Sequence, residues 1–278
     1  MENLAYWKEK WEEEGKDYVL SKNTKDKNIE IWNKSSKTYD EAVGYERIDE
    51  VISNLERLGY INEESIVLDI GCGTGAYTIP LSGICKKVYA LDYSDGMLNV
   101  LQNKINDQKI ENIEILNKDW NNIDLVCENM SKKYDFVISS LNPGCYNFES
   151  LLKMNEASKS YCCYISTNGK YKNEIIKKAD EEIIGYKIKR SDISNVIYPF
   201  NILYFSGYEP KIFYSSSSWI YKMYEKEAIE KLENRYNKYL DNNIRSKIKD
   251  FVKRNMKNDL FIEESENTLG IITWEVSY

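Results

Sequence analysis

Val67-Leu68-Asp69-Ile70-Gly71-Cys72-Gly73-Thr74-Gly75 decides the fold of this chain. An apolar burst interrupted by one acid runs into three glycines at every second position, and a helical pattern follows. That order is a strand, a tight glycine turn and a helix N-terminus, the geometry that cradles the end of a nucleotide-like ligand. Glycine allows close backbone approach and conformations that a Cβ forbids.

Working outward, residues from about Ile66 to Ser166 alternate strand and helix patterns. Strands are expected at Ile66–Ile70, Val88–Asp92, Ile113–Asn117, Phe136–Ser140 and Tyr161–Ser166. Between them a short helix spans Tyr77 to Cys85. A second follows Ser94, a plausible N-cap, with Met97, Leu98, Leu101 and Ile105 on one face. A third contains Leu151, Leu152 and Met154. Such alternation implies an α/β fold, a mostly parallel sheet with helices on both faces, whose ligands sit beyond the carboxyl ends of the strands.

Two ligand classes compete for the loop. Gly71, Gly73 and Ala76 also satisfy the dinucleotide pattern G-x-G-x-x-A. Asp69 discriminates, because a carboxylate repels a pyrophosphate and attracts a cation. S-adenosylmethionine carries an ammonium group and a sulfonium at that end. Asp69 to Gly75 resembles the first motif of the class I S-adenosylmethionine-dependent methyltransferases. The resemblance implies a Rossmann-like seven-stranded sheet closed by an antiparallel hairpin, with Asp69, Gly71, Cys72, Gly73 and Gly75 against the cofactor.

Asp92 lies 17 residues after Gly75 at the end of the second strand, where an acid accepts both ribose hydroxyls or simply favours a helix N-terminus. Asp92-Tyr93-Ser94-Asp95-Gly96-Met97-Leu98 is similar to the family's D-x-S-x-x-M-L pattern, which implies that Tyr93 and Met97 sandwich the adenine. Asp119 follows the third strand where family members hold the adenine amino group, and Trp120 could flank the ring or belong to the core. Ser139, at the end of the fourth strand, falls near the methionine half or is a turn residue. The stretch Trp32 to Asp40 resembles a W-x-x-x-A-x-x-Y-D segment of small-molecule members, in which Tyr39 would be a lid over the cofactor; the alternative is a core aromatic.

The acceptor is less legible. Asn142-Pro143-Gly144-Cys145-Tyr146 partly matches the N-P-P-Y of amino-group methyltransferases, which would put Asn142 and Tyr146 at the substrate; a plain turn is the other reading. The chain has 23 tyrosines and six tryptophans. Trp7, Trp11 and Trp32 precede the first strand, and Tyr198, Tyr204, Tyr208, Tyr214, Trp219 and Tyr221 crowd a later region. Tyr198 and Trp219 are candidates to line a pocket for a small, partly apolar or cationic substrate, against core packing or homodimer contacts.

Outside the core, residues 1–45 read as an N-terminal helical cap, with Leu4, Trp7 and Trp11 on one face. Residues 46–190 read as the cofactor-binding core, entered through a helix that Gly59 stops. Residues 191–278 read as a variable region of the same structural domain. It holds a turn and short helix over Pro199–Tyr208, a strand over Lys211–Tyr221, a helical insertion from Glu225 to about Met256, and two last strands, Leu260–Glu264 and Leu269–Val276.

Composition bounds the function. A formal charge of −7 disfavours a nucleic-acid substrate. No apolar run approaches the ~20 residues of a membrane span. The start, Met1 to Lys16, lacks the basic and apolar parts of a signal peptide, so a cytoplasmic location is expected. Six scattered cysteines and no histidine offer no metal set. The expected function is methyl transfer from S-adenosylmethionine to a small molecule by in-line displacement. The alternatives are a catalytically silent cofactor binder, or a methyltransferase acting on protein or RNA.

Overall fold

The computed structural model describes residues 2–21, 25–36, 38–42, 45–188 and 193–276. Its chain forms two compact units, Met1–Gly169 with Ser191–Ser216 and Thr268–Tyr278, and Lys170–Arg190 with Ser217–Asn267. The sequence boundary expected at 190/191 falls among residues outside the described ones.

The first unit begins with α1 (Glu2–Ser21), α2 (Lys25–Ser35) and α3 (Tyr45–Arg57). The glycine stretch follows β1 (Ile66–Ile70), and α4 (Thr78–Ser82) comes after it. Then come β2 (Lys87–Asp92), α5 (Asp95–Gln108), β3 (Ile113–Asn117), β4 (Tyr134–Ser140), α6 (Phe148–Ala157) and β5 (Ser158–Lys172). The later elements are α7 (Glu174–Ala179), α8 (Ile197–Phe205), β6 (Lys211–Met223), α9 (Glu225–Arg235), α10 (Asn242–Arg254), β7 (Met256–Lys257) and β8 (Leu260–Glu275).

Among the described residues eight strands form one sheet, in the order β3-β2-β1-β4-β5-β8-β6 with β7 beside β8. The expectation of seven strands is exceeded by the two-residue β7, which pairs antiparallel with β8. β1 to β5 pair in parallel, and Ile70 is in register with Leu91 and Ser139. This alignment brings the carboxyl ends of β1, β2 and β4 to one edge. The order reverses between β1 and β4, so a crevice opens where the glycine loop leaves β1.

β5 is longer than expected, running to Lys172. The two strands expected at the end are one, β8. Ser265-Glu266-Asn267-Thr268 contains no turn-forming glycine or proline, and the inward alternation of Phe261, Glu263 and Ser265 leads into it. The helical block between β6 and β8 is present as expected.

The core of the first unit collects Leu68, Ile70, Val137, Cys162, Tyr164, Ile272 and Trp274 with Trp11 from α1. Ser94 caps α5, accepting from Met97 N, as its position predicts. The second unit has its own core. Ile248, Phe251 and Val252 share one face of α10 and meet Ala228, Leu232 and Phe261. Asp180, 2 % exposed, receives both the Nε and Nη2 of Arg235 and the hydroxyl of Tyr236. Burial pushes its carboxyl up, but these donors hold it below the usual range.

Candidate functional site

The loop after β1 is built on left-handed glycines. Gly71, Gly73 and Gly75 have φ of +71°, +55° and +90°. At two of them neighbours also forbid a side chain. A Cβ on Gly71 would lie 2.4 Å from Asn142 Cγ, and one on Gly75 2.4 Å from Leu101 Cδ1. Gly73 differs. The nearest atom to a Cβ there would be Tyr39 Cε1 at 3.9 Å, so this glycine keeps a cradle beneath the Tyr39 ring.

Three acids mark the strand ends. Asp92 is 9 % exposed; its Oδ2 accepts from Gly73 N at 3.0 Å and its Oδ1 from Ser94 N at 2.9 Å. Burial raises its pKa, and those amides partly offset the rise. Asp69 is 2 % exposed and accepts from the Thr78 hydroxyl at 2.6 Å. Burial lifts its carboxyl to about 7; the Thr78 bond opposes the rise and the Asp92 charge adds to it. Asp69 thus pins the first turn of α4 to β1. Asp119 caps the 3-10 turn Trp120–Asn122, accepting from Asn121 N and Asn122 Nδ2.

The aromatic candidates separate. Tyr39 meets Trp32 edge-on at 6.3 Å. Tyr93, after Asp92, has its phenol pushed to about 12, first by burial and then by the Asp92 charge, with a hydrogen bond from Trp32 opposing. Met97 is buried on α5. Tyr146 is half-buried; burial drives its phenol upward, Ser166 opposes by hydrogen bonding, and Tyr39 is within electrostatic reach.

Several of the candidate residues have protein partners of their own. Trp120 is 3 % exposed, lies in the core and donates its indole N–H to Ser150 O at 3.0 Å, the core placement that the sequence left as the alternative. The short 3-10 turn after Asp119 rotates it inward. The Cys72 side chain packs with Ala90, Leu98 and Leu101, and its backbone N–H goes to Leu91 O. Asn142 donates to Ile70 O and Ser139 Oγ and accepts from Gly144 N, so it locks the turn against Gly71. Ser139 is 1 % exposed and donates to Ile70 O. Tyr198 stacks on Trp11, ring planes 10° apart and centroids at 6.4 Å, as part of the α1–α8 packing. Trp219 belongs to the second unit, where it lines a cleft of about 650 Å³ with Lys172, Ile220, Arg254 and Glu266.

Sequence reasoning missed Asn33, Thr74 and Lys104, and used Asp40 only as the end of a motif. Thr74 donates to Asp40 Oδ1 at 2.6 Å, and Lys104 pairs with Asp40 Oδ2 at 2.6 Å. Asn33 Oδ1 accepts from Ser94 Oγ and Gly96 N, both at 2.8 Å. The available signal was Asp40 beside Tyr39, the Y-D pair of the N-terminal segment.

Residues 67–156 match a family model described as a methyltransferase domain. A probable cobalt-precorrin-6B C(15)-methyltransferase (decarboxylating) of Methanocaldococcus jannaschii is 38% identical over 56 residues, 20% of this chain and 31% of that protein. A protein of the same description from Methanococcus maripaludis is 35% identical over 99 residues, 36% of this chain and 50% of that one. The chain thus spans from 31% to 50% of the length of these curated relatives. A crystal structure of a putative methyltransferase from Bacillus halodurans matches with a TM-score of 0.50 at 10% identity, over 81% of this chain and 98% of that one; this likeness concerns the fold. Residues 67–156 thus match a methyltransferase domain, and the fold of the chain is the Rossmann-like methyltransferase fold.

Proposed function

We propose that the chain binds S-adenosylmethionine at the carboxyl ends of β1 and β2 and transfers its methyl group to a small-molecule acceptor. The observation that carries this reading is the Gly73 cradle between Asp92 and Tyr39: an open left-handed glycine, a buried acceptor carboxylate and an aromatic ring around one space. The residues fit the cofactor. Asp92 would accept from the ribose hydroxyls, Tyr93 and Met97 would flank the adenine, and Asp119 would take its amino group. Asp69 and Asp92 would offset the positive charge of the methionine half. Ser139, on the β4 end, would stand under that half.

When bound, the cofactor supplies a methyl group already activated by its sulfonium. The protein then aligns acceptor and donor and excludes water, which supplies several kcal/mol of the acceleration. Burial raises the phenols of Tyr93 and Tyr146, so both stay protonated near neutral pH and donate hydrogen bonds instead of removing protons. With no histidine in the chain, an acceptor that brings its own lone pair suits this site.

The small-molecule class rests on the acidic charge of −7 and on the relatives whose names give a cobalt-precorrin as substrate. Six free cysteines, five of them buried, suit a reducing cytoplasm. No described helix is long and apolar enough to cross a membrane. Purified protein incubated with methyl-labelled S-adenosylmethionine and fractions of a cell extract is expected to label the low-molecular-weight fraction. Label confined to RNA or protein would replace the acceptor class, and no label anywhere would favour a silent binder.

A further inference from the structure

We infer that Asp40 is a positioning residue that seats Tyr39 over the glycine cradle by gripping Thr74 of the loop and Lys104 of α5. The inference rests on the reading of that cradle as the S-adenosylmethionine site. Its basis is a clasp with two anchors. At the first, Asn33 accepts from Ser94 Oγ and Gly96 N, replacing solvent at the α5 N-terminus. The fit is close: a Cβ on Gly96 would fall 2.7 Å from Asn33 Cα. At the second, each Asp40 oxygen has its own donor, Thr74 Oγ1 and Lys104 Nζ, both at 2.6 Å.

Lys104 closes the circuit, donating to Thr74 O at 2.9 Å. The Asp40 and Lys104 side chains are 31% and 23% exposed, so the pair is partly shielded from water and salt. Thr74 is fully buried between Gly73 and Gly75. Residues 39–42 form a single 3-10 turn, so fixing Asp40 fixes the direction in which its neighbour Tyr39 leaves the chain. Tyr39 leans on Trp32 on one side and over Gly73 on the other. The segment touches the loop through the Asp40 side chain, the residue next to Tyr39 in sequence. Asp40 itself has both oxygens engaged on the protein, and it acts on a ligand through Tyr39.

This assigns a consequence that simple scaffolding lacks. If Asp40 works through the ring, its loss matters only while the ring is present. The experiment is a double-mutant cycle on the full chain: Asp40→Ala, Tyr39→Ala and the double variant, with S-adenosylmethionine affinity read by calorimetry. Asp40→Ala alone is expected to weaken binding by about ten-fold, the worth of one charge-assisted contact, mainly through faster dissociation. In the Tyr39→Ala background the same change is expected to do almost nothing. Thr74→Val, which leaves Asp40 and Lys104 in place, tests the same grip should Asp40→Ala fail to fold, and it too should lose its effect without Tyr39. Equal losses with and without Tyr39, or no loss from either variant, overturn the role of Asp40. A wild-type protein that takes up no S-adenosylmethionine overturns the cofactor reading together with it.

Discussion

Replacing Asp92 by alanine is expected to weaken S-adenosylmethionine binding by ~1–3 kcal/mol, roughly five- to 150-fold. The carboxylate stands at the end of β2 with one edge against Gly73 N and the other against Ser94 N. It is 9 % exposed, so a ribose diol meets an acceptor that is already oriented and largely dehydrated. Such a bond is stronger than its counterpart in water, and its loss leaves the diol unpaired in a closed site. The substitution also frees two amides at the turn. Asp92→Asn is the control, since its carbonyl keeps one acceptor and its shape. The affinities should fall in the order wild type, Asn, Ala, while melting shows each variant folded. Unchanged affinity in both variants would remove Asp92 from the cofactor.

Asp69 is expected to make stability and binding depend on pH in opposite senses. Its folded pKa is raised to about 7 from 3.8 by burial, with the Asp92 charge adding and Thr78 opposing. The folded state therefore holds the proton more tightly than the unfolded chain. The stabilisation is full below the unfolded pKa and is lost as pH rises through the folded one. Across that window, from about pH 4 to 7, the loss amounts to up to ~4 kcal/mol. Asp69→Asn cannot titrate, so the difference in denaturant stability between wild type and variant isolates this group and should move toward the variant as pH rises. A cationic ligand does the reverse, favouring the carboxylate. S-adenosylmethionine affinity should rise from pH 5.5 to 8, with proton release on binding, and Asp69→Asn should flatten the rise. A stability difference independent of pH would contradict the burial of this charge.

Local signals made the core readable. The glycine loop, the Ser94 cap and the strand ends are each written within a few residues, because strand alternation, turn glycines and caps act over that range. Asp69 was singled out for its carboxylate, and the structure gives it a structural bond to Thr78 beside its electrostatic place. The clasp was hidden because its bonds join residues 30 to 64 positions apart, from Lys104 with Thr74 to Asp40 with Lys104. The partners of Trp120 and Tyr198 were hidden for another reason. Sequence shows that an aromatic side chain is near a strand end or helix, and the direction in which it leaves the chain is set by packing. Trp120 turns to Ser150 and Tyr198 to Trp11, both inward. The polar run within β8 looked like a connection, yet it holds no turn glycine or proline and the strand runs through it.

The central claim is that the three glycines and the acids around them hold S-adenosylmethionine and not a dinucleotide. Titration of the wild-type protein with S-adenosylmethionine and, separately, with NAD tests it most directly. Saturable one-to-one binding of S-adenosylmethionine with no heat from NAD is the expected result. Binding of NAD, or saturation by neither, would contradict the account.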